Sequence, residues 1–118
     1  MAGFTTAFSR TTLDAAIVDA DYIAWSANGS SETANLARVA AAGWDASTDA
    51  DPCIRSNTGA LLTAAASDAV TVSHFAIYSA AVAGTQKTDW TALTGGSRAL
   101  VAGDKLSIAA GAIDVTLT

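Results

Sequence analysis

Apolar positions along the chain change their spacing near residue 22, separating a short helical prefix from a β-patterned remainder. Leu13, Ala16, Ile17 and Ala20 fall at i, i+3, i+4 and i+7, one face of a helix. Thr12 is placed to cap that helix, and Asp14 stands in its first turn, where the dipole favours a negative charge. Asp19 and Asp21 oppose the dipole at the other end, so the pattern predicts a helix over about 12–21. Ahead of it, residues 1–10 read as an arm in which Phe4 and Phe8 stand among Thr5, Thr6 and Ser9.

Beyond residue 21 the period is two. Tyr22 to Ala27 is a β-prone run closed by the turn dipeptide Asn28-Gly29. Leu36 to Ala42 fits helix or strand, because alanine suits both; its neighbours Gly43-Trp44 and the polar run 45–52 favour a strand entering a loop. The loop reading extends through Cys53 and Arg55. Ala60 to Ala66 reads as a strand on similar grounds. Val70 to Tyr78, rich in β-branched and aromatic residues and apolar on both faces, predicts a central strand. Short strands follow at Trp90–Thr94, Arg98–Val101 and Leu106–Ala110. Last come Ile113, Val115 and Leu117, alternating with Asp114, Thr116 and Thr118. About seven short strands with turn signals every eight to twelve residues predict a mainly β domain, a single β-sandwich spanning 11–118 behind the arm and the one short helix.

Composition narrows the function classes. The chain has 118 residues, enough for one core and not two. Apolar residues make up 51%, but 29 of them are alanine, so large side chains must fill much of the core volume. The longest run without Asp, Glu, Lys or Arg, 69–86, is interrupted by Thr71, Ser73, His74, Ser79 and Thr85, and no membrane span is expected. The N-terminus lacks a basic stretch followed by an apolar one, so no signal peptide is expected. A net charge of −5 with six basic residues argues against a nucleic-acid surface. Cys53, alone, forms no intrachain disulfide, which leaves packing or assembly to stabilise the fold.

The catalytic inventory is thin. His74 lies inside the most hydrophobic strand with no motif supplying a nucleophile or carboxylate, so a hydrogen-bonded strand histidine is expected. Cys53 has Arg55 two residues away, but no cysteine-enzyme signature surrounds it, and an inert, half-buried thiol is expected. Asp45, Asp49 and Asp51 have the residue type calcium prefers, without the spacing, central glycine or terminal glutamate of an EF-hand loop; a solvated turn is expected. Gly95-Gly96 lacks the lysine and following helix of a phosphate-binding loop. No catalytic residue, metal site or cofactor is therefore assigned. Trp25, Trp44 and Trp90 suit core anchors first and interface anchors second, and Phe4 and Phe8 suit an arm that latches onto a neighbour or clamps its own domain. Phe4, Phe8, Trp44 and Trp90 are the candidate partner-interface residues.

Val70-Thr71-Val72-Ser73-His74-Phe75-Ala76-Ile77-Tyr78 resembles the "VTHFGIFD" strand of small bacteriophage virion proteins described as tail-fibre or minor structural proteins. Thr88 to Leu93 is similar to that family's "xxWGAL" strand, and Gly103 to Leu117 to its "GDTLSFAAGALTVTL". Tyr22 to Ser26, and Ala37-Arg38-Val39 through Gly43-Trp44, fit its early strands, so the resemblance covers about two-thirds of the chain. The chain departs from it at Ala76, where the family often has glycine, and at Thr85–Lys87, where an aliphatic pair is usual. These are patterns of strands and turns, and they carry over fold and virion origin rather than a site. With no fibre-shaft repeat and no catalytic set, the resemblance implies a non-enzymatic capsid decoration (minor capsid) protein. Its expected partners are the major capsid protein and copies of itself, at the outer head surface. The alternative is a tail-associated fibre or tip module binding a host receptor or glycan.

Overall fold

The computed structural model describes residues 4–50 and 52–117. Its elements are a helix, α1 (Thr6–Ala16), and ten strands among the described residues. They are β1 (Tyr22–Ser26), β2 (Val39–Ala40), β3 (Cys53–Ser56), β4 (Leu61–Leu62), β5 (Val70–Val72), β6 (His74–Tyr78), β7 (Thr91–Ala92), β8 (Arg98–Leu100), β9 (Ser107–Ile108) and β10 (Asp114–Leu117). The mainly β class with one short helix near the N-terminus is what the sequence predicted.

The pairing has a simple logic. β3, β4, β5 and β6 run up the chain, and their antiparallel partners β10, β9, β8 and β7 return in reverse order. The second half of the protein is thus one long hairpin divided into four ladders. β1 lies against β6 over its full length and β2 against β1, completing a four-stranded sheet in the order β2-β1-β6-β7. One hydrophobic cluster joins all the ladders, with Leu13 of α1, Ile23 and Trp25 of β1, Val72 of β5, Ile77 of β6 and Val115 of β10 among its members.

The interruptions are where sequence periodicity misled. The expected single strand Val70–Tyr78 breaks at Ser73, whose amide donates to Ser26 O and whose carbonyl accepts from Leu93 N. There the chain leaves the β5–β8 ladder for the centre of the four-stranded sheet, and Phe75, Ala76 and Ile77 are buried on both faces. A second break is at Asn57. Beyond it three residues, 58–60, face four, 109–112, so β4–β9 is shifted by one residue from β3–β10. Such a bulge lets the paired strands bend. Cys53–Ser56, expected as loop, is a strand, because the polar stretch before it folds back as its neighbour: Asp45 N donates to Ser56 O and Thr48 N to Ile54 O. Of Leu36–Ala42 only Val39 and Ala40 pair, and of Ala60–Ala66 only Leu61 and Leu62.

The helix lies earlier than the sequence indicated, over Thr6–Ala16 rather than 12–21, so residues 6–10 of the expected arm are its first turns, while residues 1–3 fall outside the described residues. Thr5, not Thr12, is the N-cap, and its hydroxyl accepts from Phe8 N at 3.2 Å. Phe4 packs edge-to-face on Phe8 with ring centroids 5.0 Å apart, an apolar clasp across the cap akin to a hydrophobic staple. At the other end Ile17 is already extended, its amide making the last bond of the helix to Leu13 O. Leu13 and Ile17 are buried as the periodicity required.

Candidate functional site

The site is the helix, the cations that fasten it, and the cleft beside it. An α-helix ends with carbonyls that have no partner of their own. Here side chains from elsewhere in the fold supply donors. Arg55 of β3 donates to Asp14 O at 2.9 Å, to Ile17 O and, through Nε, to Asp45 O at 2.8 Å. Lys87 Nζ donates to Ala16 O at 2.8 Å, and the indole N–H of Trp44 to Val18 O at 3.1 Å. Cations are also favoured at this end by the helix dipole. Lys87 is held in turn by the buried carboxylate of Asp21 at 2.7 Å, whose other oxygen accepts from Val18 N. Asp14, expected to favour the helix start, sits instead near its end, accepting from Ser47 N at 3.1 Å. The helix is therefore bolted to the β-domain at its C-terminal end, and it carries Phe8, with Phe4 ahead of it, on a surface where they are 54% and 60% exposed.

Beside α1 lies a cleft of about 690 Å³. It is lined by Leu13 of the helix and Ile17 at its C-cap, by residues 86–89 with Thr91 of β7, and by Phe75 and Val115. All four residues of β10 line it, and no residue of β3 does, so the cleft lies along the edge of β10 that faces away from its partner.

The candidate interface residues separate into two kinds. Phe4 and Phe8 are exposed and together. Trp44 is buried at 7% exposure with its N–H satisfied by Val18, so it is an internal anchor and not a surface side chain. Trp90 is half-buried, 6.2 Å from the ring of Tyr78. Tyr78 carries on another side the guanidinium of Arg38, 3.9 Å from its ring centroid. Arg38 forks onto Glu32 with two contacts of 2.8 Å and donates to Ala80 O and Ala83 O, which fixes the turn after β6. Hydrogen bonding to Glu32 raises the Arg38 pKa against the opposing effect of its burial. The sequence gives little sign of this cluster, or of the Asp21–Lys87 pair, because the partners are far apart along the chain. Only the aromatic character of Tyr78 and Trp90 was visible.

His74 has Ser73 Oγ 2.6 Å from its Nδ1, and no described carboxylate is bonded to the ring. The Asn28-Gly29 turn closes over it: a Cβ at Gly29 would lie 3.0 Å from the imidazole, at a backbone φ of +74°. Gly29→Ala is therefore expected to cost about 1–2 kcal/mol from left-handed strain and the ring contact, measured as a lower urea midpoint. Cys53 is fully buried within β3. Arg55, two residues on, is committed to the helix carbonyls. Asp49 lies 3.8 Å from Arg10, and Asp51 of the acidic cluster falls outside the described residues. Among the described residues no three His, Cys, Asp or Glu side chains converge as metal ligands.

No protein-family model matches the chain, and a search of curated proteins finds no match.

Proposed function

We propose that the protein is a non-enzymatic virion component that seats on the outer surface of a phage capsid through the aromatic end of α1. The observation that carries this reading is the pair Phe4 and Phe8, two large rings more than half exposed at the N-terminal end of a helix that Arg55, Lys87 and Trp44 hold in place. Exposed aromatics on a rigid support are the side chains that anchor interfaces, and a fixed helix gives up little conformational freedom on docking. The resemblance of the strands to small phage virion proteins supplies the particle. Repetition supplies the stabilisation, since occupancy of many equivalent lattice sites strengthens a shell even when each contact is modest.

The test has two parts. Copy number per purified virion, by quantitative mass spectrometry against the major capsid protein, is expected to be a simple fraction of the capsid subunit count. The double variant F4A/F8A is expected to lose about 2 kcal/mol or more of attachment, about 30-fold in Kd. Its domain stability should change by less than about 1 kcal/mol, because both rings are on the surface. A variant that saturates particles as the parent does overturns the reading.

The half-buried Tyr78–Trp90 pair favours a second reading, a tail-associated module that binds a receptor or glycan on an aromatic surface. It predicts on the order of ten copies per particle, where a shell offers hundreds of sites.

A further inference from the structure

We infer that the cleft beside α1 is an acceptor site for an extended, basic polypeptide strand, which adds to the free edge of β10. Strands in an antiparallel ladder alternate between residues whose peptide groups bond to the partner and residues whose groups point the other way. Asn57 N donates to Ile113 O, which places the bonded register at Ile113, Val115 and Leu117. Asp45 N and Thr48 N occupy the far-side carbonyls of Ser56 and Ile54, as the same register requires on β3. The peptide groups of Asp114 and Thr116 therefore face away from β3, and among the described residues none bonds to them. They open into the cleft, which β10 lines along its whole length.

An unpaired strand edge is a template for a further strand, and main-chain bonds to such an edge are a recurrent mode of peptide capture. The cleft supplies what side chains would add. Its floor is apolar, built by the buried Leu13, Ile17, Phe75 and Val115, and the half-buried Leu117 and exposed Ala16 are the apolar side chains a guest can touch. The charge is one-sided: Lys87 is neutralised by Asp21, while Asp89 and Asp114 have no cationic partner among the described residues. A guest alternating apolar with basic side chains fits both features.

The probe is the acetylated, amidated peptide Lys-Val-Lys-Val-Lys-Val-Lys, titrated into the full chain and followed by amide chemical shifts. The expected result is saturable shifts centred on Asp114, Thr116 and Phe75, with at least tenfold weaker binding of the Glu-for-Lys counterpart. Thr116→Pro removes an outward N–H without removing a bond to β3 and is expected to weaken binding at least tenfold. A peptide N-methylated at alternate residues is the matching control on the wild-type chain, should the proline variant fold poorly, and is expected to lose binding equally. Shifts elsewhere, equal binding of the acidic peptide, or undiminished binding of the N-methylated one would overturn the inference.

Discussion

Asn57→Ala is expected to destabilise the protein by about 3 kcal/mol and to lower Tm by about 10–15 °C. Asn57 is fully buried at the point where the long hairpin slips by one residue. Its side chain repairs the slip. Nδ2 donates to Gly59 O at 2.8 Å and to Ala109 O at 3.2 Å, and Oδ1 accepts from Ile113 N at 2.9 Å. Alanine would leave the buried amide of Ile113 and the part-buried carbonyl of Gly59 without these partners, while Ala109 O keeps its bond from Ala112 N, and each orphan costs about 1–3 kcal/mol unless water reaches it. The cavity itself adds less, since the side chain is small. Asn57→Asp keeps the acceptor for Ile113 but loses the donor and buries a charge, so it is expected to be at least as damaging. Asn35→Ala, which removes one exposed bond to Ala69 O, is the control and should cost less than about 1 kcal/mol. Urea denaturation of the three variants, read at constant m-value, decides it. Equal losses for Asn57→Ala and Asn35→Ala would show that the bulge holds without its asparagine.

The same residue shows why some of this fold was legible and some was not. Period-two alternation found β10 because its side chains report the pleat directly, Val115 being buried while Asp114 and Thr116 are exposed; β1, buried throughout Ile23–Ser26, was found as a β-prone run closed by Asn28-Gly29. Periodicity says nothing about which ladder a strand joins. The apolar run Val70–Tyr78 therefore hid the change of partner at Ser73, and the polar run before Cys53 hid a strand whose far edge is satisfied by backbone from residues 45–48. The helix face was visible in Leu13 and Ile17, but its start was not. Thr5 and Thr12 are equivalent as caps until the contact between Phe4 and Phe8 favours the first. Asp19 and Asp21 suggested only a helix end, yet Asp21 is the buried anchor for Lys87, a pairing that no local spacing announces. For the site, the exposed phenylalanines were readable as apolar residues without a core. Trp44 was readable as a core anchor as well as an interface candidate, but the partner of its indole N–H was not, because Val18 O is left for it only by the early end of the helix.

Arg55→Ala is expected to release the helix. Three backbone carbonyls, those of Asp14, Ile17 and Asp45, converge on one guanidinium whose side chain is 15% exposed. Hydrogen bonds to a charged donor are worth about 1.5–3 kcal/mol each in net terms, although their sum overstates the loss because the carbonyls can turn to water once the helix shifts. A loss of about 3 kcal/mol is expected, concentrated in α1 rather than spread over the ladders. Hydrogen exchange separates these cases. The amides of Ser9 and Ile17, bonded to Thr5 O and Leu13 O, should lose protection well before those of β1 and β6. Arg55→Lys keeps the charge but not the planar fork, so it should recover only part of the stability. Undiminished protection of α1 in the alanine variant would mean that Lys87 and Trp44 suffice to hold it. The consequence for function follows from rigidity. With α1 loosened, Phe4 and Phe8 remain in the chain but are no longer presented on a fixed surface, so on the proposed capsid-binding reading occupancy of particles should fall although neither ring has been touched. A mutation in the β-domain that mimics the F4A/F8A variant on particles would locate the binding energy in the fastening of the helix as well as in its aromatic end.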